Sequence, residues 1–414
     1  MKLIEKSVKI LDNHLCDHCL GSQFAGLLSG FSNKERGKII RNFLAMLIEN
    51  GEVDYSKINP SNFYGFKFKQ NKEFSKKIKK SEKCWLCENV FDKIDSIVKK
   101  ASKKLEKIEF NSLLVGSKLP EEIFKREEKI WEKIGIEWCE SIKNEINRKI
   151  GIRLGNIFNK PADFKRPDVV VLADFVKNKV ELQINSLFIF GFYKKMVRGI
   201  PQSKWGTPGK YKTSIQEIIA KPIVKATKGK NNKFSGSGRE DIDARCLDWR
   251  AFVIEIIEPK IRKIDFKKMQ RIINKSKKVK VRGLRHSDKS TVVRIKTETG
   301  EKTYRVRVKL SKKVEKKDLK KLKKLIGFIE QRTPNRVSHR RADIIRKRMV
   351  KDLKYKQINK KILELRIKAS AGLYIKELVT GDKGRTKPSV SEILGCEAIP
   401  KELDVIHIEK PKNL

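Results

Sequence analysis

The chain has 414 residues, of which 98 are Lys or Arg and 50 are Asp or Glu, so its formal net charge is +48 at pH 7. Apolar residues make up 39% of the chain, which excludes a wholly disordered basic tail and suits two or three packed domains. No apolar run reaches the roughly 18 residues of a membrane-spanning helix, and the start of the chain lacks a secretory pattern, so we expect a cytoplasmic protein. The positive surplus favours binding to nucleic acid, with a surface adapted to heat or salt as the alternative.

The N-terminal half combines helical and extended patterns. Apolar spacing predicts helices within residues 20–50, interrupted by a polar turn and an N-cap at residues 30–35. Residues 119–150 are predicted to form one long amphipathic helix that opens with Pro120 and acidic side chains. Residues 168–192 are predicted to form strands.

Two loop-rich stretches, 199–212 and 228–238, enclose a short predicted helix and indicate a change of domain. We place the boundary between residues 215 and 216, which gives domains of 1–215 and 216–414. After this boundary the pattern predicts strands over 251–257, 279–285, 291–297 and 302–310. It then predicts a lysine-rich helix over 312–326 and alternating strands, helix and loops over 361–410. The predicted class is α+β, with a large central mixed or antiparallel sheet in the second domain.

Four of the seven cysteines form two C-x-x-C pairs: Cys16 with Cys19, and Cys84 with Cys87. Intracellular chains rarely hold stable disulfides, and two such pairs suit a tetrahedral thiolate site for zinc. Because four thiolates leave no open coordination position, we expect a structural site that joins distant segments. The alternatives are a redox pair or unrelated buried thiols, and His14 or His18 could also serve as a ligand.

The segment GREDIDAR, residues 238–245, carries two arginines and three carboxylates and follows a flexible loop. An arginine beside a carboxylate keeps it ionised and oriented, and an oriented aspartate is able to act as a nucleophile. The same residues are also compatible with a solvated turn that carries surface ion pairs.

The string GRED, residues 238–241, resembles the G-R-x-D motif of pseudouridine synthases, in which the final Asp is the nucleophile. The longer string GREDIDAR resembles one family in particular, the archaeal and eukaryotic tRNA pseudouridine synthases of the Pus-ten family, which act at positions 54 and 55. Further segments similar to this family run along nearly the whole chain: CDHCLGSQFA (16–25), VELQINSLFIF (180–190), TPNRVSHRRAD (333–343), AGLYIKEL (371–378) and GRTKP (384–388).

The resemblance implies a zinc-containing, THUMP-type RNA-binding domain at the N-terminus and a pseudouridine synthase fold at the C-terminus. It implies that Asp241 is the nucleophile and that Arg239, with Arg245 as a further candidate, is its partner. Asp243, which lies in the same motif, is the rival nucleophile.

The resemblance also implies residues that bind the substrate. Tyr304 matches the tyrosine that stacks on the target uracil, and Tyr374 lies where the family has a tyrosine for substrate or tRNA recognition. Lys376 falls in a segment that lines the pocket and supplies a basic partner for the aspartate. A dense basic cluster is expected on tRNA phosphates, and its arginines are Arg336, Arg340 and Arg341.

The implied reaction breaks the glycosidic C–N bond of uridine 55, and of uridine 54, in the T-loop of tRNA, turns the uracil and rejoins it through carbon. It is redox-neutral and needs no cofactor beyond structural zinc. The sequence contains no P-loop and no dinucleotide-binding motif, and the resemblance favours a monomer. The rival from another class is a non-catalytic, zinc-containing tRNA-binding protein or chaperone, which would not need Asp241.

Overall fold

The computed structural model describes residues 2–81, 83–207, 209–297 and 300–409, and it does not describe the side chain of Arg340. Contacts divide the chain into two units, Met1–Asn185 and Ser186–Leu414. Within the described residues, no helix has the length and apolar character needed to cross a membrane.

The helices of the first unit are α1 (Lys2–Ile10), α2 (Asp17–Ser22), α3 (Asn33–Glu49), α4 (Lys72–Lys77), α5 (Ile94–Leu105), α6 (Glu121–Ile134) and α7 (Ile142–Phe158). The predicted break before α3 is confirmed as a capping box. The hydroxyl of Ser32 accepts a hydrogen bond from the backbone of Glu35, and the Glu35 carboxylate accepts one from the backbone of Ser32. This exchange satisfies two backbone donors at the start of the helix.

The single helix predicted over 119–150 is wrong, because α6 and α7 are separate helices. Gly135, with a φ of 77°, ends α6, since a side chain would strain this backbone conformation. Ser141 caps α7, and the buried carboxylate of Glu127 accepts a hydrogen bond of 2.7 Å from the backbone of Ile142. Both helices bury apolar residues in the same core. The helical spacing of apolar residues therefore continues through the break and suggests one long helix.

Within the described residues, the first unit has a three-stranded sheet of β1 (Leu113–Lys118), β2 (Val169–Asp174) and β3 (Lys179–Ile184) in the order β1-β2-β3. β1 and β2 are parallel, and the chain between them forms α6 and α7, as a parallel crossover requires. β2 and β3 are antiparallel, and the strands predicted within 168–192 are confirmed.

The strands of the second unit are β4 (Leu187–Lys195), β5 (Asn231–Gly236), β6 (Arg245–Ile257), β7 (Val279–Ser287), β8 (Lys302–Leu310), β9 (Gly327–Arg332), β10 (Ile345–Asn359), β11 (Ile362–Ala369), β12 (Thr386–Lys387) and β13 (Ala398–Ile408). In the described part of the chain they form one ten-stranded sheet in the order β12-β9-β10-β11-β8-β13-β6-β4-β7, with β5 paired to β6. The β6–β13 pair is parallel and the rest are antiparallel, so the predicted large mixed sheet is confirmed.

The helices of the second unit are α8 (Ile215–Thr227), α9 (Phe266–Asn274), α10 (Lys289–Thr297), α11 (Lys316–Leu319), α12 (Ile375–Thr380) and α13 (Val390–Leu394). The strand predicted over 291–297 is wrong, because these residues lie in α10. Thr291 and Ile295 are buried at helical spacing, and the carboxylate of Asp288 accepts a hydrogen bond from the backbone of Thr291.

The helix predicted over 312–326 is confirmed over residues 316–325, although most of it is a 3₁₀ helix and not an α-helix. Four residues form α11, and Lys320–Leu325 forms a 3₁₀ helix. Leu319, Leu322 and Leu325 are buried at three-residue intervals, which suits a 3₁₀ helix better than an α-helix.

The contact boundary at 185/186 lies 30 residues before the predicted boundary at 215/216. The reason is the strand β4, which pairs with β6 and β7 of the large sheet. The loop-rich stretch 228–238 also contains β5, which pairs with β6. Sequence composition marks flexible loops, but pairing within the sheet decides which unit a segment belongs to.

Candidate active site and metal centre

The GREDIDAR segment contains most of the loop between β5 and β6. The buried side chain of Glu240 holds the start of this loop. Glu240 is 6% exposed, lies 3.1 Å from Nε of Arg250 as an ion pair, and accepts a hydrogen bond of 3.1 Å from the hydroxyl of Tyr193. Nη1 of Arg250 donates a hydrogen bond of 2.7 Å to the carbonyl of Ser237. Breaking one member of such a buried ion pair leaves the other uncompensated, so this network fixes the start of the loop.

Two cations hold the other side of the loop through its backbone carbonyls. Nζ of the fully buried Lys195 donates to the carbonyls of Asp241 and Ile242 at 3.1 and 2.8 Å. Arg198 donates to the carbonyl of Asp243 at 3.0 Å. Burial lowers the pKa of Lys195 to about 8, although nearby carboxylates such as Glu240 oppose this effect.

Lys195 is not among the site residues predicted from the sequence, although the strand pattern contains a signal for it. Along β4 the buried side chains include Ile189, Tyr193 and Lys195, which share one face at two-residue spacing. A lysine in register with an apolar strand face has to find polar partners inside the protein, and here the loop carbonyls supply them.

Asp241 presents a partly exposed carboxylate, with 31% of its side chain accessible. One oxygen accepts a hydrogen bond of 3.3 Å from Arg336, and the other lies 3.4 Å from Nζ of Lys376. One cation on each oxygen orients the carboxylate while leaving room for a reacting group. The predicted contact between Asp241 and Lys376 is present.

Arg336 is itself held by a second carboxylate. Its Nε donates a hydrogen bond of 2.6 Å to Glu377, which follows Lys376 on α12 and is 4% exposed. The guanidinium group therefore bridges Glu377 and Asp241, a planar arrangement that lysine does not reproduce. From the sequence, Arg336 is expected on tRNA phosphates, and Glu377 is not among the predicted site residues.

Asp243, the rival nucleophile, lies beside Asp241 but is more exposed, at 67% of its side chain. Both of its oxygens accept hydrogen bonds of 2.7 Å from Lys376. Burial of the carboxyl opposes ionisation, but the Lys376 ammonium outweighs that effect, and the pKa of Asp243 lies below its ordinary value. Lys376 therefore contacts both aspartates of the motif.

The arginines within the motif lie elsewhere. Arg239 is exposed, and among the described residues it has no hydrogen bond or ion pair with Asp241. Arg245 forms two hydrogen bonds of 2.9 Å with Asp404 on β13 instead. The expectation that Arg245 pairs with Asp241 is therefore wrong, because its strand position faces β13.

Asp404 on β13 forms ion pairs with three arginines. Arg245 and Arg305 reach it from the neighbouring strands, and Arg198, which also holds the carbonyl of Asp243, contacts it at 2.6 Å. Burial opposes ionisation of Asp404, but the guanidinium groups lower its pKa from 3.8 to about 2. The carboxylate thus connects β6, β8 and β13 to the loop that carries Asp241.

Both candidate tyrosines lie near these groups. Tyr304 on β8 packs beside Cys246 and Val405, and burial raises its pKa to about 12, with Asp241 among the charges that act on it. Tyr374 precedes α12, and its hydroxyl accepts a hydrogen bond of 2.6 Å from Arg341. The side chain of Arg340 lies outside the described residues.

The four predicted metal ligands come together. The sulfur atoms of Cys16, Cys19, Cys84 and Cys87 all lie within 4.8 Å of one another, and those of Cys16 and Cys87 are 3.7 Å apart. A tetrahedral zinc site with Zn–S bonds of about 2.3 Å places its sulfurs roughly 3.8 Å apart. The four thiolates therefore fit a structural zinc ion that joins α2 to the segment before α5.

The two histidines near this cluster have different surroundings. Nδ1 of His18 lies 2.8 Å from Glu145 on α7, and its ring stacks on Phe91 at 4.2 Å between centroids. His14, two residues before Cys16, is half-buried. The cluster of four sulfurs supports thiolate ligands in preference to either imidazole.

Two family models match the chain: "Pus10, C-terminal" over residues 188–409, and "Pus10 THUMP domain, archaeal" over residues 97–174. The first match covers the large sheet and the Asp241 loop, and the second ends with β2 of the first unit. These matches define the class of protein as the pseudouridine synthases, which are isomerases.

Curated relatives extend over nearly the whole chain. The tRNA pseudouridine synthase Pus10 of Pyrococcus furiosus is 40% identical over 98% of this chain and 98% of its own length. The enzymes of the same name from Methanothermobacter marburgensis and Methanocaldococcus jannaschii are 38% and 40% identical, over 99% and 95% of this chain and 98% and 92% of their own lengths. The chain belongs to the Pus10 family of tRNA pseudouridine synthases. A distant likeness to a chain of a Cbf5–Nop10–Gar1 complex, 17% identical with a TM-score of 0.31 over 52% of this chain and 48% of that one, adds no argument.

Proposed function

We propose that this protein isomerises uridine 55, and also uridine 54, in the T-loop of tRNA to pseudouridine, with Asp241 as the nucleophile. The observation that carries the proposal is the Asp241 carboxylate, partly exposed and contacted by Arg336 and Lys376 on its two oxygens. Asp243 is a weaker candidate, because Lys376 occupies both of its oxygens at 2.7 Å. Arg336, Lys376 and the loop-binding cations act as positioning residues.

In the proposed reaction the Asp241 carboxylate attacks the ribose as the bond between the sugar and N1 of uracil breaks. The electron pair of that bond leaves with the uracil, which turns within the pocket. A bond from C5 of uracil to the sugar then forms as the carboxylate is released, C5 loses a proton, and N1 gains one. Atoms are conserved and no redox partner is needed, so the proposal includes no catalytic cofactor.

The target base has to leave the RNA stack to reach this site. Tyr304, beside the Asp241 loop, is the proposed stacking partner of the uracil. Tyr374, whose hydroxyl is held by Arg341, is the proposed contact to a neighbouring nucleotide. Arg340 and Arg341 remain the proposed phosphate contacts, and the THUMP-bearing unit is proposed to bind tRNA by its phosphates and shape.

The test is pseudouridine formation in an unmodified tRNA transcript, mapped by position. Wild-type protein is expected to modify position 55, and transcripts with cytidine at 54 or 55 separate the two sites. Asp241→Asn, which keeps the shape of the side chain, is expected to bind tRNA with wild-type affinity but to lose turnover by at least about 10³-fold. Asp352→Asn, which changes an exposed aspartate of β10, is the control. Arg239→Gln separately tests the partner that the resemblance implies.

Loss of turnover in Asp243→Asn with turnover retained in Asp241→Asn would move the nucleophile by two residues. Tight, salt-sensitive tRNA binding by a wild-type protein that makes no pseudouridine would support the non-catalytic tRNA-binding alternative. We further propose that the protein is a cytoplasmic monomer with one structural zinc ion. Light scattering of the purified protein tests the monomer, and metal analysis tests the zinc ion.

A further inference from the structure

Outside the site, the first unit presents an exposed aromatic side chain on a well-anchored loop. Phe164 is 83% exposed, the highest value among the described large apolar side chains with substantial exposure. It lies in the loop between α7 and β2. Isolated exposed apolar side chains are common on protein surfaces, so exposure alone carries little weight. Two further observations concern this loop: the hydrogen bonds of its backbone and the basic residues near Phe164 in the chain.

Hydrogen bonds hold the chain on both sides of Phe164. Before it, the carbonyl of Pro161 accepts a bond of 3.2 Å from the backbone of Leu113, and the backbone of Asp163 donates one of 3.1 Å to the carbonyl of Leu113. After it, one carboxylate oxygen of Asp163 accepts backbone hydrogen bonds from Lys165 and Arg166 at 2.8 and 2.9 Å. The loop is thus fixed while the ring at its apex stays in solvent, which lowers the ordering cost of binding a partner.

The loop is also basic. Lys160, Lys165 and Arg166 lie within four residues of Phe164 in the chain, and the loop has two carboxylates, those of Asp163 and Asp168. Asp163 accepts backbone hydrogen bonds within the loop, and Asp168 accepts hydrogen bonds from the backbone and the side chain of Asn111. Hydrogen bonds from the backbone amides of Arg166 and Lys165 lower the pKa of Asp163, so it stays ionised and engaged in the turn. An exposed aromatic ring with basic residues before and after it in the chain matches an unpaired nucleotide, whose base stacks while its phosphate is neutralised.

We propose that Phe164 is a stacking platform for an unpaired base of RNA, with Lys165 as a contact to the adjoining phosphate. A base inside a duplex has both faces covered by its neighbours, so the platform discriminates single-stranded from paired nucleotides. The inference rests on the proposed function only in taking RNA as the ligand. It uses no residue of the Asp241 site.

The test compares binding of the full-length protein to a short labelled single-stranded oligoribonucleotide and to a hairpin duplex, by fluorescence anisotropy. Phe164→Ala is expected to weaken single-strand binding by roughly tenfold, since stacking on one aromatic ring is worth about 1–3 kcal/mol per base. Phe164→Trp is expected to keep the affinity, and Phe164→Leu to behave like the alanine variant. Duplex binding is expected to stay within about twofold of wild type in all three variants.

Tyr64→Ala is the matched control, because Tyr64 is a second exposed aromatic residue of the first unit, at 58%. Equal single-strand affinity in Phe164→Ala and wild type would overturn the proposal. Wild-type affinity in Phe164→Leu would also overturn it, because a leucine makes apolar contacts but does not stack as a ring. Failure of the proposed function is visible separately, as a wild-type protein that binds RNA and forms no pseudouridine.

Discussion

Arg336 and Glu377 are joined by a hydrogen bond of 2.6 Å that turns the arginine toward Asp241. Arg336 lies in the segment after β9, and Glu377 lies on α12 and is almost fully buried. The second oxygen of Glu377 has no hydrogen-bond partner among the described residues, so the arginine is its main source of compensation. The pair therefore places one of the two cations that orient Asp241.

We expect Glu377→Gln to lower turnover on tRNA by about tenfold or more, because a charge-assisted hydrogen bond of this kind contributes roughly 1.5–3 kcal/mol. The change should appear in kcat with little change in KM, since Glu377 positions Arg336 and does not face the substrate. Steady-state kinetics on the transcript check this. The control is Glu330→Gln, an exposed glutamate paired with Lys347, and an equal loss in both variants would contradict the assignment.

We expect Lys376→Met to reduce turnover more than Glu377→Gln, by about 10²-fold, because it removes a cation from both Asp241 and Asp243. Lys376→Arg keeps the charge and is expected to recover part of the activity. Single-turnover assays with saturating protein measure the chemical step directly. As controls, Lys376→Met should unfold at the wild-type temperature, and Lys347→Met should keep wild-type activity. Full activity in Lys376→Met would refute this role.

Removal of zinc is expected to destabilise the first unit. Metal analysis should find one zinc ion per chain, and Cys84→Ser should lower the zinc content, since four thiolates supply the site. Limited proteolysis of the chelator-treated protein should then cut between α1 and α5, where the ligands lie. Cys139→Ser is the matched control, because Cys139 is outside the cluster. A protein that retains its protease resistance without metal would contradict the structural role.

The buried Asp404 predicts a pH dependence of stability. Its pKa is lowered from 3.8 to about 2 in the folded protein, so the unfolded chain takes up the proton first as the pH falls. The stabilisation of about 2 kcal/mol is present above pH 4 and is lost between about pH 4 and pH 2. Denaturant unfolding across this range should show a smaller pH dependence for Asp404→Asn than for wild type.

The matched control for Asp404 is Asp352→Asn, an exposed aspartate of β10. This variant should follow the wild-type curve throughout. Because Arg198 links Asp404 to the carbonyl of Asp243, Asp404→Asn should also lower turnover at neutral pH. Identical pH profiles for wild type and Asp404→Asn would show that the three arginines do not stabilise the fold through this carboxylate.

Features that depend on local spacing were predicted well. The two C-x-x-C pairs, the N-cap before α3, the strand β8 and the loop that carries Asp241 all follow from residues close together in the chain. The errors also have local causes. Gly135 interrupts a continuous helical pattern, and the leucines of 319–325 repeat every three residues, so each segment resembles a longer helix than it forms.

The sequence by itself determined the charge, the two cysteine pairs that come together, the α+β class and the loop that presents the aspartate, because each depends on composition or short-range pattern. Only the tertiary structure decided which cations meet that aspartate. Arg336 lies 95 residues from Asp241 in the chain and contacts it, whereas Arg239, two residues away, is exposed and does not. Hydrophobic periodicity specifies which face of an element is buried, but the pairing of strands and helices specifies which distant charges come within 4 Å.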